Sequence, residues 1–335
     1  MANLAAPVAG ALMPDRSQAL RVAVLAGGVG AARFLSGLVE AMPALGVTVI
    51  GNTADDFLVH GLHVSPDLDS VTYTLCGMGD QERGWGIRDE SWQALKQLQL
   101  LGEDAWFQLG DRDLGTHIFR TARLRAGSSL SDVTSELGQK LGLPVRLLPM
   151  TDDEVTTRIR TRDGRDLHIQ EYLVREACQP EIGSVEYRGA EVARPAPGSL
   201  DAISQADLVL LAPSNPVISI GPILAVPGIR EAVAAAPAVV AVSPIVAGRA
   251  IKGPAAEMLQ ALGLSASPVG VADYYRGLLH MLVLDRADEG LAGEVRARGL
   301  QAHVCDTMMV SAPARLRLAR EVLAAARRHP AFALG

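Results

Sequence analysis

The stretch Val22–Asp69 limits what this chain can fold into more than any other. It starts with an apolar run, Val22–Ala26, then a glycine turn at Gly27, Gly28 and Gly30, then a helical pattern from Ala31 through Val39. A second apolar run, Val47–Ile50, leads into the acidic, turn-rich segment GNTADDFLVHGLHVSPDLDS. A strand, a glycine turn and a helix make a phosphate site, because small residues let backbone N–H groups approach an anion at the positive end of the helix. Carboxylates placed after the next strand can hold a divalent cation against that phosphate. The arrangement suits a magnesium-bound nucleotide.

Further along, strands and helices keep alternating. From Leu200 the pattern reads as helix, buried strand (Leu208–Leu211), polar turn and helix, and AVVAVSPIVAG repeats the strand-then-turn theme. VGVADYYRGLL reads as a strand followed by a helix, MLVLDRAD as a strand ending in acids, and HVCDTMMVSAPARLRLAREVLAAARR as a short strand, a loop and a helix. This alternation argues for an α/β fold with a mostly parallel sheet covered on both faces. In the first half we expect a helix from Asp69 to Leu75 with Asp69 or Ser70 as N-cap, and one of roughly three turns from near Glu90 to Leu101. Another helix follows LGDRD, the next covers Ser129–Leu141, and Val145–Leu148 is a strand. VTTRIRT and LHIQEYLV alternate about Asp163-Gly164 and read as a β-hairpin. The expected organisation is a flexible leader at 1–20 and a single α/β domain at 21–335, with an antiparallel and helical insertion lobe over roughly 80–195.

Composition narrows the function. An apolar fraction of 49% with 20% charged residues is that of a folded globular protein with a substantial core. The net charge of −6, with no long basic run, argues against nucleic acid as a partner. The cysteines, Cys76, Cys178 and Cys305, have no paired spacing and read as buried thiols in a reducing cytoplasm. No apolar run reaches the length of about eighteen residues that a membrane span requires. The leader has no charged start and no export-signal core.

The glycine turn LAGGVGAAR is not followed by Gly-Lys-Ser/Thr, and Arg33 stands where a dinucleotide fingerprint has its third glycine. Asn52 ends the second strand, where a nicotinamide enzyme places an acid for the ribose; an oxidoreductase is disfavoured. Asp55, Asp56, Asp67 and Asp69 crowd into fifteen positions. Any one of them is unremarkable as a solvated loop acid, but together they suit Mg²⁺, while His60 and His63 read as packing residues. Ser214, Asn215 and Ser219 follow one buried strand and Ser243 the next, at the carboxyl edge where α/β sheets bind ligands. Trp85 could stack on a flat heterocycle or sit in a core, and Asp111-Arg112-Asp113 reads as an ion-pair turn.

Taken in order, the segments LAGGVGAARFLSGL, NTADD, SPDLDS, RGWGIRDESW, LGDRDLGTHIFR, LLPMTDDEV, APSNPVISIGPIL, VSPIVAG and DTMMVS carry a resemblance. From about Arg21 onward the chain resembles the 2-phospho-L-lactate transferase family of deazaflavin coenzyme F-420 biosynthesis. The resemblance implies a Rossmann-like core, a homodimer and Mg²⁺. It also implies transfer of a phospho-three-carbon acid from its guanosine diphosphate-activated form to 7,8-didemethyl-8-hydroxy-5-deazariboflavin (Fo), releasing GMP. The acid would be 2-phospholactate, phosphoenolpyruvate or 3-phosphoglycerate. By the same resemblance Asp69 is the catalytic residue beside the reacting hydroxyl of Fo, and Gln108, just before LGDRD, is an Fo contact where the family often has Lys. Gly27, Gly28, Gly30, Asn52, Ser214, Asn215, Pro216, Ser219 and Ser243 form the nucleotide side. Among Asp55, Asp56 and Asp69, the resemblance implies that Asp55 or Asp56 together with Asp69 holds the metal. A related family of the same fold, a nucleotide-sugar-binding regulator, is the alternative.

Overall fold

A computed structural model describes residues 20–328, so the leader expected at 1–20 lies outside the described residues except for Leu20. Seven strands form the main sheet: β1 (Val22–Ala26), β2 (Val47–Gly51), β3 (Arg146–Pro149), β4 (Leu208–Leu211), β5 (Val239–Val242), β6 (Met281–Asp285) and β7 (Gln301–Cys305). They lie in the order β7-β6-β5-β4-β1-β2-β3, and all six pairings are parallel. Val24 pairs with Val49 on one side and with Leu210 on the other. The order therefore runs outward in both directions from β1 and β4, the switch point where open α/β sheets place their ligand crevice.

Every residue of β1 is buried, because both faces of the sheet are covered. Alternate side chains serve different cores. Val22, Val24 and Ala26 pack with helix α1 (Gly28–Ala41) and with Leu318 and Val322 of the helix Ala312–Arg327. Ala23 and Leu25 pack on the opposite side with Ile203, Ile223, Met258 and Val271. Each valine or leucine so removed from water contributes roughly 1.5–3 kcal/mol, so the strand ends that carry the site are held by two cores at once.

Several expected boundaries move. Helix α2 spans Pro66–Leu75 and starts after Ser65, not at Asp69 or Ser70. Pro66 at its first position presets the helical φ, which puts Asp69 inside the helix. Helix α3 is shorter than expected, Gln93–Leu100, while α4 (Asp111–Arg125) and α5 (Leu130–Leu141) follow the pattern. VGVADY contains no strand: Pro268–Tyr274 is helical, with Ser267 Oγ accepting from the Gly270 amide. The expected hairpin forms between Thr156–Thr161 and Asp166–His168, but Glu171–Arg175 turns helical and Ile182–Arg188 adds a third antiparallel strand. Within 80–195, β3 returns to the main sheet beside β2, so the elements outside the sheet fall on either side of it in sequence. Cys305 is buried, whereas Cys76 and Cys178 are only partly so.

Candidate functional site

The chain leaves β1 through Gly27 and enters α1 at Gly28, whose φ is +70°. Both the bend and its neighbours require small residues. A Cβ on Gly27 would overlap Asp67 Oδ2 and Ser219, and one on Gly30 would overlap the Pro213 carbonyl. The glycines thus admit two other segments to the end of β1: the start of α2 and the turn after β4. Ser214 Oγ donates to the Gly27 carbonyl at 2.8 Å and ties that turn down. Asn215 caps the following helical turn, accepting from the Val217 amide at 2.9 Å.

At the end of β2, Asn52 is fully buried and its Nδ2 is 2.9 Å from Asp55 Oδ1 and 2.9 Å from Asp67 Oδ2. One amide therefore holds two carboxylates side by side. Gln170 Nε2 donates to the other oxygen of Asp55 at 3.1 Å, and the Gly28 amide is directed at Asp67. Both acids are nearly inaccessible, at 3% and 6% exposure. Burial, reinforced by the charge of Asp67, raises the Asp55 carboxyl well above its usual range. Burial pushes Asp67 up to about 7, against the opposing hydrogen bond from Asn52. Two buried carboxylates that repel each other are relieved by a shared divalent cation. Among the described residues no group of three or more His, Cys, Asp or Glu is placed to hold a metal. An ion here would take the two carboxylates and complete its shell from water or substrate phosphate, the habit of Mg²⁺.

The other two aspartates face elsewhere. Asp56 Oδ2 accepts from Ser65 Oγ at 2.7 Å and lies 2.9 Å from His63 Nε2. Asp69 pairs with Arg120 through both oxygens, one contact being Nη1 to Oδ2 at 3.1 Å, and His117 Nδ1 lies 3.8 Å away. His117 Nε2 in turn lies 3.1 Å from Asp113, which accepts from Tyr73 Oη at 2.6 Å. Residues two apart on a helix point to different sides. Asp67 therefore meets the glycine bend while Asp69 meets α4, and the expected pairing of Asp55 or Asp56 with Asp69 does not form. Asp67 is the acid that the expected site set omits. The signal for it was the Ser65-Pro66 helix start, which fixes the phase of α2.

A cavity of about 380 Å³ opens between these parts. Gly27, Gly28 and Gly30 line it together with Asp55, Asp67, Ser214, Asn215 and Ser219. Asn52, Pro216 and Ser243 lie behind its wall: Ser243 Oγ serves its own loop, donating to the Ile245 carbonyl at 3.0 Å. Gln108 is exposed just before the N-terminus of α4, away from this lining. The charged motifs around it are reciprocal helix caps, not an ion-pair turn. Asp111 accepts from the Gln93 and Ala94 amides at the start of α3, and Glu90 accepts from the Arg112 and Asp113 amides at the start of α4.

Fold and site together define a Rossmann-like α/β protein whose ligand cleft opens at the switch point of the sheet. The chain belongs to the family described as 2-phospho-L-lactate transferase CofD, which residues 22–322 match. It is 47% identical over 314 residues to a phosphoenolpyruvate transferase of Kitasatospora aureofaciens, covering 92% of this chain and 98% of that protein. It is 38% identical over 300 residues to a 2-phospho-L-lactate transferase of Methanosarcina acetivorans, covering 90% and 97%. A crystal structure of a UPF0052 family protein from Bacillus halodurans shares the fold, with a TM-score of 0.60 at 18% identity over 91% of this chain and 99% of that one. Among the described residues no helix is long and apolar enough to cross a membrane.

Proposed function

We propose that this protein transfers a phospho-three-carbon acid from its guanosine diphosphate-activated form to the terminal ribityl hydroxyl of Fo, releasing GMP. The observation that carries the reading is the single cavity joining the glycine bend, the Asp55–Asp67 pair and the turn at Ser214–Ser219. It is supported by near full-length similarity to transferases of phosphoenolpyruvate and phospholactate.

In this reading the hydroxyl of the acceptor attacks the phosphorus bearing the acid, and GMP is the leaving group. Such transfers depend on positioning and on neutralising phosphate charge. Asp55 and Asp67 would hold Mg²⁺, whose contribution when bound is that neutralisation. Asn52 keeps the two acids adjacent by donating to both. The turn fixed by Ser214 and capped by Asn215 would receive the guanosine side. Asp69, oriented by Arg120 and His117, would orient or deprotonate the acceptor hydroxyl, with Gln108 at the acceptor's far edge. A homodimer in the cytoplasm belongs to the same reading.

The test is incubation of the protein with Fo, Mg²⁺ and each of the three guanosine-activated acids, followed by mass spectrometry. The reading expects a new Fo adduct and an equivalent of GMP with at least one donor, none with EDTA, and recovery on adding Mg²⁺. No adduct with any of the three, in protein shown to be folded, removes it.

A further inference from the structure

The same cavity has a basic wall. Arg33, on α1 one turn beyond the glycine bend, and Lys252, in the loop before the helix Ala255–Ala261, both line it. Their head groups converge on Gly84 of the RGWG loop, where a Cβ would lie 3.3 Å from Arg33 Nη2 and 3.6 Å from Lys252 Nζ. Lys252 Nζ donates to the Gly84 carbonyl at 3.4 Å. Arg83 and Arg88 of the same loop pair with Asp80 and Asp89. Arg33 and Lys252 make no such pair among the described residues. Burial and the neighbouring charge of Arg33 hold the Lys252 ammonium below its usual range, and the same two causes act on Arg315.

Like charges gathered without a counterion repel, and an oxyanion between them relieves the repulsion. The donor described above carries two kinds of anion, its phosphates and the carboxylate of the acid. The phosphates have the Asp55–Asp67 cation site at the glycine bend. Arg33 also borders the smaller hollow formed with Ser70, Tyr73, Gly84 and Trp85, beside α2. Tyr73 of that hollow stands one turn after Asp69 on the same helix and feels its charge, so in the donor reading this is the side nearer the acceptor. We propose that Arg33 and Lys252 form an anion subsite that takes the carboxylate of the transferred three-carbon acid. This rests on the donor reading given under Proposed function.

The test is isothermal titration of wild type, Arg33→Gln, Lys252→Gln and Lys252→Arg, with Mg²⁺ present, using GMP and the guanosine diphosphate-linked acid as probes. Lys252 lies in a loop outside both packed cores, so its variants are expected to melt with wild type. Each Gln variant should weaken binding of the acid-bearing probe at least tenfold and change GMP affinity less than twofold, and Lys252→Arg should stay within threefold of wild type for both. Equal weakening for both probes, or none for either, overturns the subsite while leaving the donor reading standing. Failure of wild type to bind either probe overturns the donor reading, and the subsite with it.

Discussion

Asp67 and Asp69 stand two positions apart on one helix and have opposite neighbours, one the glycine bend and the other an arginine. That difference sets what substitution at each should do. Asp67→Asn removes half of the proposed cation site and one of two mutually repelling charges, while keeping an oxygen for Asn52. We expect Mg²⁺-supported turnover to fall about 100-fold or more, the scale on which charge-stabilising groups act, with the melting temperature held within a few degrees. Asp69→Asn instead leaves the guanidinium of Arg120, which is 2% exposed, without its anionic partner. Breaking one side of a buried ion pair costs about 3–5 kcal/mol, so urea denaturation should show a clear drop in midpoint beside any loss of turnover. An unchanged midpoint would show that Arg120 does not depend on Asp69. The clustering of four aspartates was legible in the sequence. Which of them pair was not, because that depends on the phase of α2, and one residue of error in the helix start redirects every side chain on it.

At the scale of elements, the RGWGIRDESW and LGDRD segments hold each other through their caps. Glu90 and Asp111 each satisfy two amides of the other segment's helix. Losing a cap costs about 1 kcal/mol, so Glu90→Ala and Asp111→Ala should each lower stability by about that much. The double variant should lose less than the two together, since both contacts fasten one junction; strict additivity in denaturation curves would contradict this coupling. The β1–glycine–α1 unit and the seven strands of the main sheet were readable from apolar runs and glycine punctuation. The two main errors share a cause. Ser65-Pro66 and Ser267-Pro268 are both helix starts, with the serine outside and the proline at the first helical position, and in each case the residues after the proline were read without that phase. The strand Ile182–Arg188 escaped because a glycine and mixed charges break its alternation.

For the whole molecule, the carboxylate pair makes stability depend on pH in an unusual direction. Asp55 and Asp67 have raised values in the folded state, so between the ordinary carboxylate range and about pH 7 the folded protein binds more protons than the unfolded chain. Stability conferred by this pair is therefore present at low pH and lost as pH rises through that window. A cation that replaces the protons reverses the loss. Melting curves should accordingly show a larger stabilisation by Mg²⁺ at pH 8 than at pH 5.5. Equal stabilisation at both would mean that the ion binds elsewhere.

Mn²⁺ titration in the presence of GMP, followed by electron paramagnetic resonance, tests the proposed cation site directly. Wild type should bind one Mn²⁺ tightly, Asp55→Asn and Asp67→Asn should each weaken it at least tenfold, and Asp56→Asn should leave it unchanged. Loss on changing Asp56 with retention on changing Asp67 would contradict the account.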